Sequence, residues 1–571
     1  MSAPSTAATA VAAAYERIAA SGRPEVWITL RERTAAFDAA AEVDTRLALG
    51  ADLPLAGRTL AVKDNIDVAG LPTTAGCPAF AFVPAVSATA VARLEAAGAV
   101  VIGKTNLDQF ATGLVGTRSP YGAVRDAWRP QFVSGGSSSG SGVAVALGLV
   151  DLALGTDTAG SGRVPAAFGG TVGLKPTIGR VPVTGVLPAC RSFDCVTVFA
   201  RAVDLADEAC ELMAGVDPAD PLTRAWPVDA PLGAPPVPVV GRPASRALED
   251  LTDDALTAFE AAAAALASAG VDVVEVDVDA YLEAGRLLYD GAFVAERHAA
   301  VGAFVEAHAE DVDPTVGAII RAAGTLSASA LTRDRERLDA LAARVDAVLR
   351  TVDVVLLPTT TRQPTLAEVA ADPVAANTRL GIYTNGTNLC DLAAIAVPAG
   401  EADGGRFGVT LIAPAFHDRV VADLARRLLG EPPRAARPQT PGIDLFVVGA
   451  HRAGQPLHHE LAERGARYVD TVRTLPSYRL HRLATTPPKP GLVRVSAAEG
   501  TAVEGERWRL PVAALATFLA ALPSPMALGS VALEDGASCV GFLCEPLAAA
   551  GTEDVSAFGS WPAYLAAVAG D

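Results

Sequence analysis

The sequence predicts an α/β layered domain followed by a smaller, mostly β domain. Between about 58 and 200, short apolar runs alternate with helix-like stretches and with turns rich in Gly, Ser and Pro, which is typical of layered α/β folds. Half of the 571 residues are apolar and 19% are charged, a balance that excludes a disordered or fibrous chain. Because four prolines fall within 431–442, we expect a first domain over 1–430, a linker over 431–442 and a second domain over 443–571.

The spacing of apolar residues predicts the elements in order. Helical spacing predicts helix over 8–47, and four apolar runs predict strands, namely TLAV, AVVIG, VDLALG and TVGL. Further elements are expected as helices over 88–97, near 245–270, near 326–350 and over 418–429, and as a buried strand at 352–360. In the second domain, strands are expected in IDLFVVG, YRLHRL, GLVRV, RWRLPV, GSVALE and CVGFLC, with little helix before 561.

The charge balance narrows the classes of partner. Lys and Arg number 46 against 64 Asp and Glu, and a net charge of −18 opposes binding to nucleic acid or to an anionic membrane. No run of about 18 apolar residues predicts a membrane span, and the first residues do not have the order of a signal peptide. The seven cysteines show no CxxC spacing, so neither a disulfide framework nor a zinc site is expected. We therefore expect a cytoplasmic protein.

Lysine and histidine are scarce, and their positions are informative. The chain supplies nearly all of its positive charge as Arg, and its four lysines are Lys63, Lys104, Lys175 and Lys489. A lysine in this chain is therefore not expected to be an ordinary surface residue. The first histidine is His298, so catalysis built in the first half of the chain has no imidazole.

Two segments rich in Ser and Gly are the densest chemical signals. The first, VSGGSSSGSG at 133–142, has the composition of a linker but lies inside a domain, and a phosphate cradle is the alternative. The second, GTDTAGSGRVPA at 155–166, follows a predicted strand, and Pro165 suits the first turn of a helix. Backbone N–H groups near a helix N-terminus favour negative charge, so we expect an oxyanion hole with the Ser161 hydroxyl as nucleophile. Its donors would be the amides of Thr158, Ala159, Gly160 and Ser161.

The segment GAVVIGKT at 98–105 matches the phosphate-loop expression GxxxxGK[ST]. A phosphate loop follows a strand and precedes a helix, whereas here a predicted helix precedes Gly98 and the loop would be the β-branched run VVI. The sequence therefore argues against a nucleoside triphosphatase.

A serine nucleophile needs a base, and Lys63 is the candidate. It ends the apolar run TLAV, where burial would lower the pKa of the amine and let it accept a proton. The alternative is a structural ion pair with Asp64 or Asp67. Arg would serve equally well in such a pair, so the preference of this chain for Arg favours the catalytic interpretation.

These elements resemble the amidase signature family, which uses a Ser-cisSer-Lys triad. The resemblance is specific over 55–200 and looser over 1–430, and it assigns Lys63 as the base, Ser137 as the bridging serine and Ser161 as the nucleophile. Ala159 stands where the family more commonly has glycine. The resemblance implies a mixed central sheet covered by helices and an amidohydrolase acting on linear amides without metal, nucleotide or flavin.

Several segments are similar to the allophanate hydrolase branch of that family. They are VWITL at 26–30, FATGLVGTRSPYG at 110–122, DTAGSGRVPA at 157–166, YTNGTNLCDLAAIAVP at 383–398 and FGVTLIAPAFHD at 407–418. The branch implies that Tyr289 and Arg297 bind the substrate carboxylate and that Gly113 is a further substrate-binding residue. A Tyr and an Arg eight residues apart on one helix would lie on the same side, although ordinary helix packing gives the same spacing.

The C-terminal part resembles the γ-glutamylcyclotransferase-like module of the same branch. The similar segments are VVGAHRAGQPLHHEL, PPKPGLVRV and GFLCEP. The resemblance implies that the first domain releases ammonia from allophanate and that the second helps to break down the N-carboxycarbamate formed. His451 is the catalytic candidate there, whereas His458 and His459 are expected at the surface. One alternative is that His451 is an exposed loop histidine, and another is that the module serves only in assembly.

The resemblance implies hydrolysis of allophanate to ammonia and carbon dioxide or bicarbonate through an acyl-enzyme, as a step of urea or ureide catabolism. It also implies a homodimer and functional coupling to a urea carboxylase. The alternatives are an amidase acting on another small amide, such as a biuret-like or aryl amide, and a catalytically idle scaffold. The joint presence of Lys63, Ser137 and Ser161 argues against the scaffold.

Overall fold

The computed structural model describes residues 6–437, 440–485 and 488–569. Contacts among the described residues divide the chain into two compact units, Met1–Ala225 with Val239–Glu431, and Trp226–Pro238 with Pro432–Asp571. The Pro-rich segment Trp226–Pro238 falls within the predicted first domain but belongs to the second unit. Within the predicted linker, residues 438–439 lie outside the described residues.

The first unit alternates helices and strands along the chain. Its helices are α1 (Ala7–Ser21), α2 (Arg33–Ala48), α3 (Thr89–Ala96), α4 (Ser139–Ala146), α5 (Val164–Gly169), α6 (Val203–Met213), α7 (Asp253–Ser268), α8 (Asp279–Asp290), α9 (Ala295–Ala307), α10 (Pro314–Ala323), α11 (Ala328–Leu349), α12 (Leu366–Ala371), α13 (Pro373–Leu380), α14 (Asn385–Leu389) and α15 (Asp418–Leu429). Its strands are β1 (Trp27–Leu30), β2 (Thr59–Lys63), β3 (Val100–Thr105), β4 (Leu152–Asp157), β5 (Val172–Lys175), β6 (Cys195–Ala200), β7 (Val239–Pro243), β8 (Asp272–Val276), β9 (Val354–Pro358), β10 (Ala393–Ala402) and β11 (Gly405–Ala413).

The strands of the first unit form one mixed sheet. Among the described residues it has 11 strands in the order β1-β3-β2-β4-β6-β5-β10-β11-β9-β7-β8. β2 lies between β3 and β4 and is parallel to both, whereas β6 is antiparallel to β4. Strands β2 to β6 are buried at every position, which explains why they are continuous apolar runs in the sequence. This is the α/β arrangement that the sequence predicts.

The second unit is mostly β. Its strands are β12 (Ile443–Val447), β13 (Arg467–Arg473), β14 (Tyr478–Leu483), β15 (Lys489–Arg494), β16 (Glu504–Leu510), β17 (Met526–Ala532), β18 (Ser538–Cys544) and β19 (Glu553–Asp554). In the described part of the chain they form a sheet in the order β13-β16-β12-β18-β17 and a smaller one in the order β15-β14-β19. Its helices are α16 (His458–Ala462), α17 (Val512–Ala520), α18 (Pro546–Ala549) and α19 (Trp561–Ala569). The predicted strands are present, and α17 is a helix that the sequence analysis did not predict.

The segment Trp226–Pro238 is held in the second unit by hydrogen bonds. The Leu232 amide donates to the carbonyl of Gly465 at 3.1 Å, and the Leu232 carbonyl accepts from Arg467 Nη1 at 2.9 Å. The Ala513 amide, in α17, donates to the carbonyl of Val228 at 3.2 Å. Because Leu232 is also only 1% exposed, this segment is part of the packing of the second unit.

The single helix predicted over 8–47 is wrong. Gly22 ends α1 in the left-handed conformation, with φ of 62°. Pro24 then begins a short 3-10 turn, and β1 pairs with β3 at the edge of the sheet before α2 begins. The apolar residues of VWITL thus belong to a strand, and short apolar runs do not distinguish a strand from a helix.

Two other expectations concern the phosphate-loop match and the membrane. Residues 100–105 of the match form the buried strand β3, so no loop is present there to hold a phosphate. Across the described ranges, none of the helices combines the length and the apolar character needed to cross a bilayer.

Candidate active site

The structure brings Lys63, Ser137 and Ser161 into one chain of hydrogen bonds. Lys63 Nζ donates to Ser137 Oγ at 2.8 Å, and Ser137 Oγ donates to Ser161 Oγ at 3.1 Å. The three side chains are 0%, 0% and 4% exposed, so bulk water scarcely reaches them. Protons can pass along this chain between the amine and the outer hydroxyl.

Neighbouring strand ends position these three residues. Lys63 ends β2, and Ser161 lies in the turn that follows β4, the parallel neighbour of β2. Ser137 precedes α4, and the peptide bond between Gly136 and Ser137 is cis. Because parallel strands end at the same edge of a sheet, residues distant in sequence converge here.

The electrostatic surroundings hold the Lys63 amine near neutrality. Burial lowers its pKa from the ordinary value of 10.5 to about 7, against the opposing charges of Asp108, Asp157 and Asp194. The charge of Arg297 also lowers the pKa. With this pKa about half of the amine is uncharged at neutral pH. The uncharged form can accept the proton of Ser137, which is what a general base requires.

Asp157 organises the turn that carries Ser161. Its carboxylate accepts hydrogen bonds from the amides of Gly160 at 2.8 Å and Gly162 at 3.0 Å. It also forms a fully buried ion pair with Arg163, at 3.0 Å from both Nε and Nη2. Burial raises the pKa of Asp157, but the Arg163 charge and these hydrogen bonds outweigh it, so the pKa is lowered and the carboxylate is ionised.

The hydrogen bonds of Asp157 reduce the number of backbone amides available for the expected oxyanion hole. The amide of Gly160 points at Asp157 and is not available to an oxyanion, which corrects the sequence expectation for that residue. The amides of Thr158, Ala159 and Ser161 remain as expected donors. Gly160 has a φ of +128°, and a Cβ there would overlap the Thr384 side chain, so its role is to shape the turn.

Ala159 and Thr158 are tied to neighbouring segments. The Ala159 carbonyl accepts from Thr384 Oγ1 at 2.6 Å, and Thr158 Oγ1 donates to Asp194 Oδ1 at 2.5 Å. Asp194 also accepts from the amides of Ala189 and Cys190. The turn is therefore fixed from both sides.

A second loop, 108–118, carries Gly113 past the site. Asp108 accepts from the amides of Gly116 and Arg118 at 3.0 Å each, and its own amide donates to the Ser137 carbonyl at 3.1 Å. A Cβ on Gly113 would lie 2.7 Å from Asp108 Oδ2, so this close approach requires glycine. The loop is thereby connected to the backbone of the bridging serine.

Arg297 lies against the same loop. It is 2% exposed, and its Nη1 donates to the carbonyl of Ala111 at 3.2 Å and to Thr112 Oγ1 at 3.0 Å. Its guanidinium carbon lies 5.7 Å from the centre of the Tyr289 ring. The structure therefore brings the Arg297 and Tyr289 side chains together and places Arg297 next to Thr112, the neighbour of Gly113.

The two residues do not share one helix, as the sequence analysis expected. Tyr289 belongs to α8 and Arg297 to α9. The extended backbone of Gly291 ends α8, and the Ala292 amide donates to Asp334 Oδ2 at 2.7 Å instead of continuing the helix.

Sequence reasoning missed Thr156, Asp108 and Asp194. Thr156 Oγ1 accepts from Lys63 Nζ at 2.8 Å, which orients the amine, and the two carboxylates hold the site loops by their backbone amides. Thr156 lies within the GTDTAGSG segment and could have been found as a strand-end polar residue. Asp108 and Asp194 carry no local signal, because their partners are loop amides.

His451 belongs to the second unit, where it lines a cavity of about 310 Å³. Its Nε2 lies 3.0 Å from Glu460 Oε2, and its ring stacks on Phe542 at 4.9 Å. Burial lowers the pKa of His451, with Glu460 opposing, so the ring is uncharged at neutral pH. Of the two histidines expected at the surface, His459 is exposed, whereas His458 is half-buried against Trp508.

Comparison with known proteins places this arrangement in a family. A model of the amidase family matches residues 9–421. The chain belongs to the amidase family. Residues 443–566 of this amidase match a second model, the allophanate hydrolase C-terminal domain.

Individual relatives of this amidase cover one or both of its parts. The structure of Kluyveromyces lactis allophanate hydrolase is 37% identical with a TM-score of 0.86, covering 99% of this chain and 97% of that one. Urea amidolyase of Saccharomyces cerevisiae is 40% identical over 554 residues, which are 90% of this chain but 30% of that protein. The chain thus spans about a third of the length of the urea amidolyases it matches. One component of the glutamyl-tRNA(Gln) amidotransferase of Halobacterium salinarum is 36% identical over 412 residues, 67% of this chain and 97% of that one.

Proposed function

We propose that this amidase is an allophanate hydrolase. The observation that carries the proposal is the buried hydrogen-bonded chain Lys63–Ser137–Ser161, in a protein similar to K. lactis allophanate hydrolase over nearly the full length of both chains. The C-terminal match supports this substrate over others, because the similarity to the amidotransferase component covers only 67% of this chain.

In the proposed reaction, neutral Lys63 accepts a proton from Ser137 as Ser137 accepts one from Ser161. The Ser161 oxygen attacks the carbonyl carbon of the terminal amide, and the amides of Thr158, Ala159 and Ser161 hold the oxyanion. The C–N bond breaks, and the nitrogen leaves as ammonia with a proton returned along the same chain. Water then hydrolyses the ester on Ser161 and releases N-carboxycarbamate.

In this proposal, Arg297, Tyr289 and Gly113 bind the substrate and select it. Allophanate is a small anion, and an acidic protein needs a local cation to bind it. Arg297 supplies that charge from a buried position beside the loop of Gly113, with the Tyr289 ring over its guanidinium.

The second unit is proposed to act on the product of the first. His451 is uncharged, oriented by Glu460 and faces a cavity, so it can exchange a proton with a small anion such as N-carboxycarbamate. Breakdown of that product gives carbon dioxide and a second ammonia. We expect His451→Gln to leave the first ammonia unchanged and to slow release of the second.

The remaining parts of the proposal concern assembly and pathway. We propose a cytoplasmic homodimer that receives allophanate from a urea carboxylase, since the relatives include urea amidolyases. Light scattering of the purified chain checks the dimer. Ammonia release from urea in a mixture with a urea carboxylase checks the coupling.

The test of the main proposal is ammonia released per allophanate consumed by the full chain, with Ser161→Ala as the control. We expect two ammonias from the intact chain and none from the variant. Labelling of Ser161 by a fluorophosphonate probe separates the chemistry from the substrate. Labelling without ammonia release would refute allophanate as substrate and favour another small amide, and absence of labelling would refute the nucleophile.

Arg297→Ala tests substrate selection. We expect it to reduce kcat/KM for allophanate by about 100-fold, the value of a charged hydrogen bond, and to affect a neutral amide far less. Because the variant also loses the bonds to Ala111 and Thr112, Thr112→Val serves as the matched control for a loosened loop. Equal losses for both substrates would refute the role of Arg297.

A further inference from the structure

A second buried lysine lies close to the catalytic candidate and takes no part in the proposed chemistry. Lys104 is 0% exposed, and its Nζ lies 2.9 Å from Asp64 Oδ1 in an ion pair whose two side chains are fully buried. Asp64 is the residue that follows Lys63 in the chain. The chain therefore places a buried pair of opposite charges directly next to its general base.

Oxygen acceptors surround Lys104 Nζ. Burial lowers the pKa of Lys104, and the charge of Asp64 opposes that shift. Besides this ion pair, Lys104 Nζ donates to the carbonyl of Pro72 and to Thr73 Oγ1 at 3.1 Å each. The other oxygen of Asp64 accepts from the amide of Thr74 at 2.9 Å and from its hydroxyl. Asp64 is thus held through both of its oxygens, one by the ion pair with Lys104 and the other by Thr74.

The register of the strands separates the pair from the reacting groups. In the parallel ladder of β2 and β3, Val62 is opposite Lys104 and Lys63 is opposite Thr105. Because side chains alternate along a strand, Lys104 projects away from the side of Lys63. The pair and the Lys63 side chain therefore lie on opposite faces of the sheet, so the pair could influence Lys63 only through its electric field.

Other charged groups around Lys63 already favour or oppose its protonation, so an additional uncompensated charge nearby would change its protonation state. Three buried carboxylates, Asp108, Asp157 and Asp194, favour its charged form, and the positive charge on Arg297 opposes them. On the Lys104 side, Asp67 accepts from Thr73 Oγ1 at 2.8 Å and adds a further carboxylate near the pair.

We propose that Lys104 is a positioning residue whose charge cancels that of Asp64, so that a large fraction of Lys63 is uncharged at neutral pH and can act as the base. This inference rests on the proposed function of Lys63. It explains why a chain that otherwise uses Arg retains a lysine at this position, since a compact ammonium fits three acceptors in one small space.

The two single substitutions should move the pH profile in opposite directions. Lys104→Met leaves the Asp64 carboxylate uncompensated, which favours protonated Lys63. The acid limb, which is the part of the rate–pH profile where the labelling rate of Ser161 falls as the pH decreases, then shifts to higher pH. Asp64→Asn leaves Lys104 uncompensated and shifts the limb to lower pH. As a general scale, a unit charge at a separation of about 10 Å in an effective dielectric constant of about 20 shifts a pKa by about one unit, and we expect shifts of this order.

The experiment measures the rate of fluorophosphonate labelling of Ser161 against pH in the full chain and in three variants, Lys104→Met, Asp64→Asn and the double variant. We expect the midpoint of the labelling profile to shift in opposite directions in the two single variants. In the double variant we expect it to lie within about 0.3 pH units of the midpoint of the parent protein. Slower labelling at all pH values without a shift of the limb would overturn the proposal and assign the pair a purely structural role. If Lys104→Met does not fold, Asp64→Asn and the double variant carry the test.

The readout keeps this inference distinct from the proposed function. Labelling does not require allophanate, so a wrong substrate leaves the test intact. A parent enzyme without an acid limb near pH 7 would instead refute Lys63 as the base.

Discussion

The pH dependence of the first chemical step follows directly from the burial of Lys63. With a pKa of about 7 in place of the ordinary 10.5, the neutral fraction of the amine rises from about 9% at pH 6 to about 91% at pH 8. The labelling rate of Ser161 should therefore rise about tenfold between pH 6 and 8 and level off above pH 9. An amine with the ordinary pKa would give about a hundredfold rise over the same range and would still be rising at pH 9.

The assay is fluorophosphonate labelling under pseudo-first-order conditions, repeated as ammonia release from allophanate. Lys63→Met is the matched variant, because methionine fills the volume of the buried stem without a titratable group. We expect its rate to fall by about 10²–10⁴ and to lose the limb near pH 7. A Lys63→Met profile that keeps the limb would refute Lys63 as the base, and a parent profile that rises log-linearly to pH 10 would refute the lowered pKa.

The remaining predictions concern the turn and the stability of the site. Asp157→Asn should lower the free energy of unfolding by about 3–5 kcal/mol, because it leaves the buried Arg163 charge without its partner, and chemical denaturation measures this loss. Gly160→Ala should slow labelling by at least about tenfold, because the new Cβ meets Thr384; Gly22→Ala, with positive φ but no atom within 4 Å, is its control for backbone strain. Lys63→Met should raise the free energy of unfolding by about 2–4 kcal/mol at pH 7 and below, and this gain should vanish as the pH rises toward 10.5, because the unfolded lysine then also loses its proton. An unchanged stability of Lys63→Met at pH 6 would contradict the energetic cost of the buried amine.

Lys63 and Ser161 were predictable from local signals, whereas the family resemblance selected Ser137 among the serines of its segment. Lys63 is a rare lysine at a strand end, and Ser137 and Ser161 lie in the two segments richest in Ser and Gly. Strands β2 and β4, which lead to Lys63 and to the turn of Ser161, are buried throughout, so apolar runs in the sequence identify both strands directly.

The expectations that failed depend on contacts made at a distance in the chain. The apolar spacing over 8–47 fits a helix, but Trp27–Leu30 pair with β3 and form a strand. The break between α8 and α9 is stabilised by Asp334, which is 42 residues from Ala292. The amide of Gly160 is taken by Asp157 in a turn whose geometry composition does not specify.

The attachment of Trp226–Pro238 to the second unit determines how the protein can be divided. A fragment that starts at 432 lacks the segment Trp226–Pro238, which forms hydrogen bonds with Gly465, Arg467 and Ala513. A fragment that ends at 431 contains this segment but lacks the residues that bury Leu232. No single cut in the 431–442 region therefore yields two intact pieces. During synthesis, this stretch leaves the ribosome long before the residues that bind it, so the second unit completes its packing only after the first has been made.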